Sequence, residues 1–119
     1  NADGTGHLQL TTYRFDETPD WSPDGSQILF VTRSGLWPTV VNVMNADGSD
    51  IKLVFDTNPG SPYSASWSAD GSQIVFNICD TRSTWGVCNG GDIFIMDADG
   101  YNDMLLAENA YRPAWRPQP

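Results

Sequence analysis

Two cysteines, one histidine and fifteen carboxylates limit the chemistry open to this 119-residue chain. Nucleophilic catalysis finds little footing. No Gly-x-Ser-x-Gly elbow occurs, and a serine triad would have to recruit His7, the lone histidine, which sits on an expected strand near one end of the chain. There is no Cys-His pairing and no His-Glu-x-x-His zinc motif. Asp16, Glu17 and Asp20 cluster carboxylates, but as close neighbours in one loop their expected role is solvation rather than paired acid and base work. Gly4-Thr5-Gly6 and Asn89-Gly90-Gly91 lack the lysine and the strand-to-helix context of a phosphate loop, so they are turns. The expectation is a protein that binds rather than one that catalyses.

Cys79 and Cys88 bracket a single loop. Zinc would need about four ligands, usually in close pairs, and His7 is alone and distant in sequence. A disulfide closing a loop of ten residues contributes roughly 2.5 to 3 kcal/mol by constraining the unfolded chain. We therefore expect Cys79 and Cys88 to be joined, which points to an oxidising compartment: cell surface, periplasm or medium. Calcium is the one ion with a candidate site, because Asp97, Asp99, Asn102 and Asp103 put several oxygen ligands within seven residues. Their spacing departs from that of an EF-hand loop, and the expectation is that no cofactor is required.

Charge narrows the partners. Fifteen acidic against six basic side chains give a formal charge of −9, with no basic cluster to attract phosphate backbones or anionic lipid heads. Apolar runs such as Ile28 to Val31 are far too short to cross a bilayer. Thirteen of the acidic residues are Asp and only two are Glu, beside eleven Gly and eight Pro. Asp, Gly and Pro make turns whereas Glu and Lys cover helices, so the composition argues for β structure.

Internal repeats say which β structure. Asn1-Ala2-Asp3-Gly4 returns as Asn45-Ala46-Asp47-Gly48 and, with one change, as Asp97-Ala98-Asp99-Gly100. Between these copies, the run from Trp21-Ser22-Pro23-Asp24-Gly25 to Phe30 is matched by Trp67-Ser68-Ala69-Asp70-Gly71 to Phe76, and Ala114-Trp115-Arg116-Pro117 resembles a third opening. The three tryptophans lie 46 and 48 residues apart. Each unit reads as four short strands, A to D, separated by turns. Strand A runs into Trp21 or Trp67. Strand B covers Gln27 to Thr32 and Gln73 to Ile78, and strand C covers Val40 to Met44 and Asp92 to Met96. Strand D covers His7 to Thr11, Ile51 to Phe55 and Asp103 to Ala107. The repeated rings Trp21, Trp67, Trp115, Phe30 and Phe76 are expected to pack between units.

Four strands every 46 or so residues make one blade of a β-propeller, whose faces are buried only against neighbouring blades. The sequence resembles the TolB-type, WD-repeat-like propeller family. The resemblance is carried by Trp21 to Gly25 with Ile28 and Phe30, and by Val43-Met44-Asn45-Ala46-Asp47-Gly48. Departures are few: Ala69 stands for the turn proline, Asp97 for the asparagine, and Arg116 follows Trp115 without an Asp-Gly turn. The expected division is the end of a preceding blade at 1–13, full blades at 14–56 and 57–108, and the first strand of a further blade with a proline-rich tail at 109–119. This implies a partial propeller, either a portion of a longer one or a chain that self-associates through open blade edges.

Alternating strand direction places the A–B and C–D turns on one face and the B–C and D–A connections on the other. The first face repeats itself. The second varies between units and collects Arg14, Arg33, Trp37, Tyr63, Arg82 and Trp85, large planar groups and positive charge on an acidic background. These six are the expected partner-binding residues, suited to an acidic peptide or a glycan and not to nucleic acid. The resemblance implies a propeller that holds protein partners at one face, and related propellers serve as accessory domains of serine peptidases. The expected function is a non-enzymatic, extracytoplasmic recognition or scaffold module. A structural subunit joined through blade edges and the propeller of a peptidase are the alternatives.

Overall fold

A computed structural model describes residues 1–12, 15–33, 39–56, 61–79 and 91–110. Eight strands follow in order: β1 (Asp16–Trp21), β2 (Gln27–Thr32), β3 (Val40–Asn45), β4 (Lys52–Asp56), β5 (Ser61–Trp67), β6 (Gln73–Cys79), β7 (Gly91–Asp97) and β8 (Met104–Ala110). They form two antiparallel four-stranded meanders, β1-β2-β3-β4 and β5-β6-β7-β8, with no helix among the described residues. The two sheets are the two expected blades. Strand B of the first blade matches its expected bounds, and the other strands of both blades shift by a few residues at their ends.

Turn chemistry explains why the repeats fold alike. Asp24 Oδ1 accepts from Ser22 Oγ at 2.7 Å, from the Ser26 backbone N–H at 3.0 Å and from Ser26 Oγ at 2.8 Å. Asp70 Oδ1 accepts from Ser68 Oγ at 2.7 Å, from the Ser72 N–H at 3.0 Å and from Ser72 Oγ at 2.7 Å. One carboxylate oxygen thus closes each turn, and the exchange of Pro23 for Ala69 leaves the pattern intact. The Ala46 N–H donates to the Ser26 carbonyl at 2.9 Å and the Ala98 N–H to the Ser72 carbonyl at 3.0 Å. A–B and C–D turns are therefore knit together at one end of each blade, as the alternation of strand direction requires.

The core lies between the blades. Leu29, Val31, Val41 and Val43 of the first pack against Ala65, Trp67, Ile74, Phe76 and Met96 of the second, with Phe55 tilted 50° to Phe76 at 4.4 Å between centroids. A polar latch fixes the seam: Asp20 Oδ2 accepts from Ser66 Oγ at 2.9 Å and from the Trp67 backbone N–H at 2.8 Å. Phe76 is buried between the blades, as expected, whereas Phe30 is buried on the outer face of the first blade with Ile28 and Met44.

Two expectations are corrected. Trp67 is 6% exposed, but its repeat mate Trp21 is 56% exposed. Trp21 pairs in register with Ile28 and so belongs to the outer face of the first blade with Ile28, Phe30 and Met44, where no other sheet of the described chain lies. Repeat equivalence fixes the position of a ring, whereas its burial needs the neighbouring blade. The other correction concerns His7–Thr11, which forms no strand. Leu10 nevertheless packs on that same outer cluster and against Gly48, where a Cβ would lie 3.3 Å from its own. Val54 of β4 holds the matching place against Gly100 in the second blade. The segment occupies the position of a strand D, but none of the described strands lies beside it to supply a hydrogen-bond ladder.

Candidate functional site

At the end of the blades where B–C and D–A connections meet, the structure brings Arg33 and Tyr63 together. Arg33 follows β2, anchored by its backbone N–H on the Phe15 carbonyl at 2.9 Å. Tyr63 stands at a bulge in β5, where the ladder slips between Pro62 and Ser64. Buried Asn77 stabilises that bulge, its Oδ1 accepting from the Ser64 N–H at 2.9 Å and from Ser64 Oγ at 3.1 Å. The Arg33 guanidinium lies over the Tyr63 ring, Cζ 4.8 Å from the centroid, and its Nε pairs with Glu17 Oε2 at 3.2 Å. Both members of the ion pair are partly exposed, so the arrangement serves more to hold a planar cation in place than to add stability. Arg14, Trp37, Arg82 and Trp85 lie outside the described residues. So does Cys88; Cys79 ends β6 in register with Ser61 and Gly91.

The opposite end, which the sequence marks as turns alone, holds a cavity of about 340 Å³. Ser22, Pro23, Asp24 and Gln27 of the first blade line it together with Trp67, Asp70 and Gly71 of the second. Trp67 brings the one buried side-chain polar atom without a hydrogen-bond partner among the described residues, its indole Nε1. Asp24 and Asp70 use Oδ1 in their turns, and Oδ2 of each receives no hydrogen bond from the described residues. Each turn was legible in the sequence. The cavity arises from setting one turn beside the next blade's tryptophan, and the clue was that the Trp-Ser-x-Asp-Gly run occurs twice in succession.

In the acidic hairpin at Asp97 to Asp103, two of the carboxylates each lend one oxygen to the turn. Asp97 Oδ2 accepts from Asn102 Nδ2 at 2.6 Å and Asp99 Oδ1 from the Tyr101 N–H at 3.1 Å. Among the described residues no three His, Cys, Asp or Glu side chains gather as a metal site.

No family model and no curated protein matches the chain. Solved structures do. A protein assigned as TolB from Agrobacterium tumefaciens superimposes with a TM-score of 0.79 at 23% identity, over 97% of this chain and 44% of that one. The chain has the TolB-type propeller fold. TolB from Acinetobacter baumannii follows at TM-score 0.66 and 19% identity, over 88% of this chain and 24% of that one. A nidogen/laminin complex matches at 0.65 and 15%, over 89% and 38%. The chain thus spans less than half the length of each. Enzymes are also among the structural neighbours, an oligogalacturonate lyase and an acylaminoacyl peptidase from Pyrococcus horikoshii. At these identities the likeness carries the fold.

In this TolB-type pair of blades the turn aspartates titrate low. Asp24 is lowered from 3.8 to about 2, first by the Ser26 backbone N–H and then by the Ser22 and Ser26 hydroxyls. Asp70 is lowered to about 2 by the Ser72 N–H and then by the Ser68 and Ser72 hydroxyls. The Ser49 hydroxyl and N–H lower Asp47, and the Thr5 hydroxyl and N–H lower Asp3. A carboxylate more acidic in the folded chain contributes stability above its unfolded value and loses it as pH falls through its folded one. The midpoint of urea unfolding is therefore expected to fall between about pH 4 and pH 2. The double variant Asp24→Asn, Asp70→Asn should show a flatter decline over that window. An identical decline in wild type and variant would remove these turns as its source.

Proposed function

We propose that this TolB-type chain is a non-enzymatic recognition module working outside the cytoplasm, which holds an acidic segment of a protein partner on the end of the blades that carries Arg33 and Tyr63. The observation that carries the reading is the fixed guanidinium: its plane is set by the Tyr63 ring and its Nε by Glu17, which leaves its terminal nitrogens to address a partner. The nidogen/laminin structure supports it by analogy, as a propeller crystallised within a protein complex. We further propose that Cys79 and Cys88 are joined, and the extracytoplasmic location rests on that bond. Mass spectrometry after alkylation without reductant should find neither thiol modified. Labelling of both would reject bond and location together.

Binding to an array of acidic peptides tests the recognition face. Arg33→Ala and Tyr63→Ala should each weaken the selected peptide by about tenfold or more, with Trp37→Ala and Trp85→Ala as companion variants. Unchanged affinity in all four, with folding intact, would overturn the assignment. Calcium should leave that affinity unaltered, because among the described residues no three acidic side chains, those of the Asp97 to Asp103 hairpin included, gather as a metal site.

A second reading is favoured by one observation, the exposure of Trp21 beside Ile28, Phe30 and Met44. That face matches the one that Trp67, Ile74 and Phe76 bury against the first blade. Association of copies in series through it is expected to be abolished by Trp21→Asp, read by sedimentation velocity. A wild-type chain that stays monomeric at high concentration would dismiss this reading.

A further inference from the structure

Asp-Gly steps occur at Asp3-Gly4, Asp24-Gly25, Asp47-Gly48, Asp70-Gly71 and Asp99-Gly100. Such a step carries a latent reaction, because glycine has no side chain to shield its backbone nitrogen from the carboxyl carbon of the residue before it. The nitrogen attacks Asp Cγ and gives up its proton, a C–N bond forms, the bond from Cγ to the carboxyl OH breaks, and water departs to leave a cyclic succinimide. Water then opens the ring. Opening at Cγ restores aspartate, whereas opening at the backbone carbonyl gives isoaspartate, in which the main chain runs through Cβ and Cγ and the α-carboxylate hangs free. The reaction needs no oxidant and no partner, so its rate is set by how the turn holds the carboxyl group.

The repeats make these turns a controlled comparison. Every one of the aspartates is exposed, and every glycine has positive φ, between 71° and 90°. In each turn the glycine N–H donates to the carbonyl two residues before the aspartate, at 2.8 to 3.0 Å. The turns differ at the residue after the glycine, which is Thr5, Ser26, Ser49 or Ser72 in all but the last, where it is Tyr101. Asp3 Oδ1 accepts from the Thr5 N–H at 3.0 Å and the Thr5 hydroxyl at 2.7 Å, and Asp47 Oδ1 from the Ser49 N–H at 2.9 Å and the Ser49 hydroxyl at 2.6 Å. Asp24 and Asp70 have the same pair of donors and a further serine hydroxyl. Asp99 Oδ1 has the Tyr101 N–H alone, at 3.1 Å.

A hydroxyl donor protects in two ways. It stabilises the carboxylate anion, which reacts poorly because it has no OH to lose as water, and it ties the side chain to the far side of the turn. The pull on the anion is visible in Asp3, Asp24, Asp47 and Asp70, all held below the ordinary carboxylate value by these donors. We propose that Asp99 is the site at which this protein spontaneously forms isoaspartate, because its turn alone among the Asp-Gly turns lacks the hydroxyl clamp. The place has a consequence for the fold. Gly100 rests on the Val54 carbonyl oxygen of the first blade, so the extra main-chain carbon of an isoaspartate enters a turn that is packed against backbone.

The test keeps the folded full chain at neutral pH and body temperature for several weeks and measures isoaspartate at each step by peptide mapping with electron-transfer fragmentation. Isomerisation leaves the mass of a peptide unchanged, which separates it from deamidation at Asn89-Gly90, a step outside the described residues. Isoaspartate should accumulate at Asp99 about fivefold or more faster than at Asp47, its counterpart in the first blade, as expected for one missing hydrogen bond. Tyr101→Ser should bring Asp99 down to the rate of Asp47, and Ser49→Ala should raise Asp47 toward that of Asp99. Tyr101 and Ser49 are both exposed, so both variants should fold. In concentrated urea, where no turn is formed, the difference between Asp99 and Asp47 should vanish. Equal accumulation in the folded chain overturns the proposal, as does a Tyr101→Ser variant that ages like the wild type. The same ranking in urea also overturns it, by placing the cause in the local sequence and not in the turn.

Discussion

Replacing Trp67 with alanine is expected to cost about 3 to 5 kcal/mol, the range for truncating a large aromatic ring in a packed core. The ring belongs to the cluster that fills the seam, with Leu29, Val31, Val41 and Val43 of one blade and Ile74, Phe76 and Met96 of the other. Its removal would leave a void that two β-sheets cannot easily close. The indole N–H has no partner, so the whole loss comes from packing and none from a broken hydrogen bond. Domains of this size are stable by roughly 5 to 15 kcal/mol, so the variant should stand near the edge of folding. Trp21→Ala removes the same side chain at the same repeat position and should cost about 1 kcal/mol or less, because more than half of that ring already faces solvent. Urea unfolding followed by far-ultraviolet circular dichroism compares the two without relying on tryptophan emission. Equal losses would mean that the seam between the blades is not what holds the chain together.

That contrast marks the boundary of what could be read from the sequence. The order and handover of strands within each blade were legible because they follow from local chemistry: Asp24 and Asp70 close their own turns with serines two residues away on either side, and these turns would form much the same in any blade. Asn45 and Asp97 differ yet end their strands alike. Asn45 Nδ2 donates to Ser49 Oγ at 3.0 Å, and Asp97 accepts from Asn102, so donor and acceptor simply change places. What was not legible depends on a neighbour. Trp21 and His7–Thr11 carry the pattern of buried ring and edge strand, but burial and a ladder both need a sheet alongside. The site was only partly legible for the same reason. Arg33 and Tyr63 could be assigned to one end of the blades, but contact between them depends on a bulge that Asn77 holds from the adjacent strand. The cavity beneath the turns exists only because Asp24 and Trp67, 43 residues apart in the chain, meet across the seam.

The same seam makes one turn glycine far less replaceable than another. Gly25 and Gly100 both adopt positive φ, 71° and 90°, and an alanine at either would bear the strain of a left-handed backbone, about 1 to 2 kcal/mol. For Gly25 that is the whole cost, because nothing lies within 4 Å of where a Cβ would sit. Gly100 belongs to the C–D turn of the second blade and rests on β4 of the first. A Cβ there would fall on the carbonyl oxygen of Val54, with Val54 Cα at 3.2 Å. Backbone cannot swing aside as a side chain can, so the blades must separate locally, and overpacking of that kind adds about 1 to 3 kcal/mol. Gly100→Ala is thus expected to cost about 2 to 5 kcal/mol, a fall in melting temperature of roughly 10 °C or more for a chain of this length. Gly25→Ala should lower it by about half of that or less. Thermal unfolding of the two variants side by side decides the matter, and equal falls would mean that the second blade does not rest its turn on β4.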